Sequence, residues 1–198
     1  MVIKNIGVVI VVAIVFLAIG AGGVYYLKQS EINEDNNDEF IRFLLRADSE
    51  IDNALLNEGF AKSAEYEAEY FYNLDIYNLS EIYYSYAKEY YDYATSGFGT
   101  ADALLKQAKN YANSDKTLEY ISKYIDVNSY SEDIDGLYSQ ISESKRLASH
   151  YYNLSEWATG DTHGNKANSN IEKLNNFISE RNKLFTELDI LLETSWEV

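Results

Sequence analysis

The chain has 198 residues, no cysteine and no proline, and its 32 acidic against 16 basic side chains give a net charge of −16. That balance argues against nucleic acid as a partner, because such binding depends on basic side chains replacing phosphate counterions, and equally against adsorption to an anionic lipid surface. Without cysteine there is neither a disulfide nor a thiolate metal site, and without proline nothing of that kind interrupts long helices.

The first element is Ile6–Leu27, an uncharged run of 22 residues. At ~1.5 Å per residue it is long enough to cross a hydrocarbon core of ~30 Å. Tyr25, Tyr26 and Lys28 at its end have the aromatic and basic character of a membrane–water boundary. A cleaved signal peptide has an apolar region of only about 7–15 residues, so the small-residue stretches Ala18-Ile19-Gly20 and Ala21-Gly22-Gly23 are read as part of an anchor. A pilin-type leader fits worse, since Lys4-Asn5-Ile6-Gly7 is not its processing site and no early glutamate follows. The short N-terminal flank favours an N-terminus in the cytoplasm and a C-terminal domain outside it, in a single-pass cell-membrane protein. Within the span, Ala18 and Gly22 form a small-xxx-small pair that suits close helix packing.

Residues 28–37 lack an apolar period and are expected to be a polar linker; 38–198 form the acidic domain. With Lys4 removed, 15 basic residues face 32 acidic ones, a charge of −17. From Asp38 to about Leu56 the apolar positions Ile41, Leu44, Ile51 and Leu55 recur at helical spacing, and Gly59 is expected to end this helix.

Phe60–Thr95 is the most distinctive stretch, since ten of the 19 tyrosines lie between Tyr66 and Tyr93. Tyr70, Tyr77, Tyr84 and Tyr91 are spaced by seven, Tyr83 and Tyr90 extend a second lane, and Asn73, Ser80, Ala87 and Ala94 form a small-residue lane. At about 100° per residue these lanes share one side of a single long helix. Two readings of that face stand: core, because tyrosine buries a large ring and needs a partner only for its hydroxyl, or an interface, for which the same property suits it.

Ser96–Gly99 is expected to be a break, with Thr100 capping a third helix that ends near Asn128-Ser129 and is interrupted, or not, at Asn113-Ser114-Asp115. Ser131 is expected to start a fourth helix, Thr159–Lys166 to be a loop, and Asn168–Trp196 to be the last helix, with Arg181 inside its apolar seam. Asp161 and His163 supply only two ligands where a metal needs three or four, so no metal and no cofactor is expected. The tetrapeptide Tyr-Asn-Leu-Ser recurs at 77–80 and 152–155 and gives two N-x-S glycosylation acceptors, Asn78 and Asn153, both on polar sides of their helices.

The fold class expected is all-α: a single N-terminal transmembrane helix, then five helices with an up-down antiparallel four-helix-bundle core. No catalytic motif is present, so the function expected is non-enzymatic: a membrane-anchored structural or protein-interaction module, associating with a protein partner or itself. The alternative is a small-ligand-binding, sensor-like bundle acting through a partner subunit.

Overall fold

The computed structural model describes residues 34–112 and 114–193. The expected membrane span, with Ala18 and Gly22, lies outside them, and no described helix is long and apolar enough to cross a membrane. Apart from the turns that join them, the described residues form four helices: α1 Glu34–Asn73, α2 Tyr77–Lys109, α3 Asp115–Asn153 and α4 Trp157–Glu193. Each packs on the next in chain order, α1 brushes α3, and the backbones of α1 and α4 do not approach each other. The bundle is therefore a row of two helical hairpins. At 40 residues, α1 extends over about 60 Å.

Four helices replace the five expected, and nearly every boundary moves. Gly59, Gly97, Gly99, Gly136, Gly160 and Gly164 all lie inside helices. Thr100 caps nothing; its hydroxyl donates to the Ser96 carbonyl at 2.9 Å. Ser131 likewise bonds back to the Val127 carbonyl at 3.1 Å, and Thr159–Lys166 is helical. The break that does occur between α2 and α3 ends at Ser114, whose hydroxyl accepts from the Thr117 N–H at 3.1 Å.

Glycine here serves close approach. A Cβ on Gly97 would sit 2.9 Å from the Ala54 Cβ, and one on Gly160 would stand 2.4 Å from the Tyr152 ring. The sharp turns instead use Asp75 and Ser155, with φ of 58° and 61°, a conformation that small polar side chains tolerate better than most.

The two turns are copies. Phe71-Tyr72-Asn73-Leu74-Asp75-Ile76-Tyr77 corresponds to Tyr151-Tyr152-Asn153-Leu154-Ser155-Glu156-Trp157, eighty positions later. In the first, the N–H groups of Asp75, Ile76 and Ser80 donate to the carbonyls of Tyr72, Phe71 and Ile76; in the second, those of Ser155, Glu156 and Gly160 donate to Tyr152, Tyr151 and Glu156. Burial repeats with the same offset. Ala47, Ala54, Ala61 and Ala68 are buried on α1, as are Val127, Ile134, Ile141 and Ala148 on α3. Ser80, Ala87, Ala94, Ala101 and Ala108 line α2, matched on α4 by Gly160, Ala167, Leu174, Arg181 and Leu188. The first hairpin is thus zipped by two heptad-spaced lanes of small residues, and the second by larger ones. At the base of the row Phe40, Leu44, Ile51, Phe98, Leu105, Ile121, Phe185 and Leu188 form the main core. Toward the turns the packing passes to tyrosine.

Candidate interaction surface

The tyrosine stretch spans two helices, because the chain reverses at Leu74–Ile76. Tyr70 sits on α1 and is exposed, while Tyr77 opens α2 and is half-buried. Tyr84 and Tyr91 are buried, and Tyr83 and Tyr90 are half-buried. The seven-spaced lane is therefore core in its second half and surface in its first. Tyr91 packs with Ala61 and Ala87, stacks on Tyr138 at 5.0 Å with 10° between planes, and donates to Glu65 at 3.3 Å. Burial pushes its hydroxyl well above the ordinary tyrosine range. Beside Tyr84, Lys145 bridges Glu65 and Glu69 at 3.0 and 2.8 Å. Burial works against the Lys145 charge, but Glu65, Tyr84 and Glu69 outweigh it and raise its pKa.

Both hairpin turns lie at the same end of the row, where they build one aromatic tip. Tyr72 and Tyr77 of the first turn meet Tyr152 and Trp157 of the second, with ring centroids 5.4–6.2 Å apart. Tyr77 donates to Asp75 at 2.8 Å and Tyr152 to Asp161 at 2.6 Å. The carboxylate of Asp75, aided by slight burial, raises the Tyr77 pKa to about 12. Leu74, Ile76, Leu154 and Trp157 stand exposed around these rings at 51, 37, 53 and 55%. The rings neighbour one another and form one continuous aromatic platform. Such a platform suits the apolar or aromatic side chains of a partner.

Asn78 and Asn153, the two N-x-S asparagines, are exposed at this same end. Asp161 and His163 do not converge: Asp161 accepts from Tyr152, and His163 stacks on Tyr151 at 5.3 Å. No group of three potential metal ligands assembles among the described residues.

Between core and tip lies a belt of buried charge. Asp135, Glu58 and Arg181 are buried, and Lys62 pairs with Glu58 and lies over the Tyr138 ring. Burial first, and then Glu58, holds the Asp135 carboxyl well above the usual carboxylate range, against Lys62 and Arg181. Arg181 donates to Ser131 at 3.4 Å and stands 5.9 Å from the Phe185 ring centre. It therefore neither snorkels to solvent nor forms a direct ion pair with Asp135.

Sequence reading finds the tyrosines and both sequons but not the tip itself. Matching Tyr77–Ser80 with Tyr152–Ser155 sets the register at seventy-five, whereas the fold repeats at eighty. Aligning Phe71–Tyr77 with Tyr151–Trp157 would have placed Trp157, Leu154, Leu74 and Ile76 together. No family model, curated protein or solved structure matches this chain.

Proposed function

We propose that the protein is a non-enzymatic, membrane-anchored interaction module, with Ile6–Leu27 as its anchor, its N-terminus in the cytoplasm and its helical domain outside. The observation that carries this reading is the aromatic tip at the end of α1 remote from the anchor. A 40-residue helix holds that tip about 60 Å beyond the point where the chain would leave the membrane. Exposing Leu74, Leu154 and Trp157 together costs solubility and adds nothing to the core, which is the expected profile of a docking surface for another protein.

A second reading, a ligand-binding bundle, has one observation in its favour. An open groove of about 480 Å³ between α3 and α4 is lined by Tyr130 and Phe177 with Asp126, Asp133, Glu180, Lys183 and Glu187, and would suit a small organic ligand with an aromatic part.

A photo-cross-linking residue at Trp157 or Leu74, in the full chain in its own cells, tests the first reading against a control at Asn176 on the last helix. Cross-linking to one discrete partner from the tip, abolished by Leu74→Ser with Leu154→Ser, is the expected result. Equal labelling from Asn176, or none from the tip, sinks it.

A further inference from the structure

The row of helices has two ends, and they are built differently. On α1, at about 100° per residue, Leu45, Leu56, Phe60, Tyr66 and Tyr70 all fall within about 60° of one line. That line lies opposite the buried lane of Ala47, Ala54, Ala61 and Ala68. All five are about half exposed, between 49 and 58%. Between Leu45 and Tyr70 this outer stripe carries three charges, Asp52 and Glu67 and, at its edge, the half-buried Asp48 that accepts from Tyr124, with Ser49 and Ser63 among the apolar residues. The corresponding outer face of α4 is Ala158, Asp161, Asn165, Ser169, Glu172, Asn176 and Ser179, with Ile190 as its large apolar residue. In stacked-helix proteins a terminal helix with a polar outer face closes the array. Here the row is closed at α4 and open at α1.

We infer that a second copy of this chain covers the outer face of α1, in a parallel two-fold pair whose axis runs along the helix. Two features favour a second copy. The first is area: five large side chains of ~200 Å² each, half exposed, offer about 500 Å² per copy and about 1,000 Å² in a pair. With the intervening serines and carboxylates, the contact reaches the lower part of the ~1,200–2,000 Å² range of specific interfaces. The second is the chain that precedes Glu34. Two copies anchored in one membrane through Ile6–Leu27 enter α1 from the same side, so their first helices run parallel and meet along equivalent residues. The parallel sense rests on the membrane-anchored reading; the contact itself does not. With a net charge of −16 per chain, copies repel one another over most of their surface, and this stripe is where that repulsion is small.

Ser49 and Ser63 are exposed on the stripe and lie seven residues either side of Leu56. Because the chain has no cysteine, Ser49→Cys and Ser63→Cys each introduce a unique thiol. In the full chain in mild detergent or native membranes, oxidation should link each variant to itself, while Ser179→Cys on the outer side of α4 stays unlinked. Leu56→Glu with Tyr66→Glu should weaken association at least about tenfold, as charge does at an apolar contact, and leave the melting temperature of the domain unchanged. An antiparallel pair centred on Leu56 would join position 49 of one copy to 63 of the other and leave each single variant unlinked, which overturns the parallel pair. A monomer by light scattering, or linking through Ser179→Cys equal to that through Ser63→Cys, overturns the second-copy contact. So does association with a different protein in place of a second copy. Either result leaves tip cross-linking from Trp157 to be judged by itself.

Discussion

Replacing Ala87 by leucine tests the close packing of the first hairpin. Ala87 is fully buried and packs with Ala61 and Tyr91, in line with Ser80, Ala94 and Ala101. Leucine adds three carbons. If there were room, burying them would gain about 0.8 kcal/mol each. There is none. Toward the other end of the same lanes, Gly97 and Ala54 approach so closely that one added methyl would stand 2.9 Å from its neighbour. Accommodating the leucine requires α1 and α2 to separate, which loosens contacts along both lanes, and overpacking of this kind typically costs about 1–3 kcal/mol. At roughly 2–4 °C per kcal/mol for a chain of this size, the melting temperature should fall by about 2–12 °C. Circular dichroism of the full chain in detergent measures it, with Ala103→Leu as control, since Ala103 is exposed on the same helix. Equal melting of the two variants would refute the small-residue zipper.

Two further outcomes follow from the same geometry. Asp135 binds its proton more tightly folded than unfolded. Its contribution to stability therefore falls as pH rises from about 4, the ordinary aspartate value, through the raised folded value. Asp135→Asn should flatten that part of the stability–pH curve and be more stable than the parent at neutral pH; urea titrations at pH 4 to 8 measure it, and an unchanged slope refutes the buried-charge account. The glycines should split by sign. Gly164 has nothing within 4 Å of a built Cβ, so Gly164→Ala should stabilise by about 0.5–1 kcal/mol through helix entropy. Gly97→Ala should destabilise despite the same gain, because Ala54 and the Glu50 carbonyl occupy the space. Paired thermal melts of the two variants check the split.

Much of the fold is legible in the sequence, and the reasons for the rest are physical. Helical periodicity without proline correctly implies an all-helical domain, and the seven-spaced lane of Ser80, Ala87 and Ala94 is the real seam of α2. The element count fails because glycine is read as punctuation. In long helices that pack closely, glycine also marks where a neighbour comes near, and local pattern does not distinguish the two uses: Gly97 faces Ala54, and Gly160 lies under Tyr152. The true turns pass unnoticed because Leu74-Asp75-Ile76 and Leu154-Ser155-Glu156 contain no glycine and sit inside apolar, aromatic sequence. Their signal is long-range, a match of one turn to the other at a separation that neither reveals alone.

That internal repeat also explains why the candidate surfaces lie where they do. A row made from two similar hairpins places both turns at one end, so aromatic residues at one turn meet their counterparts at the other: Tyr72 and Tyr77 against Tyr152 and Trp157. Inside the row the two hairpins differ. The positions equivalent to Leu56, Phe60, Tyr66 and Tyr70 on α1 are Gly136, Gln140, Arg146 and His150 on α3, while the equivalent of Leu45 is Ile125, which packs against the main core. Arg146 and His150 there bond to Glu81 of α2, at 3.1 and 3.2 Å. On α3, which has neighbours on both sides, those positions are small or polar, and Glu81 of α2 satisfies two of them. On α1, which packs on α2 and only brushes α3, they are large and about half exposed. That contrast runs opposite to the one solvation alone would select, since the more exposed helix should be the more polar, and it is why α1 reads as a surface with a partner still to be placed on it.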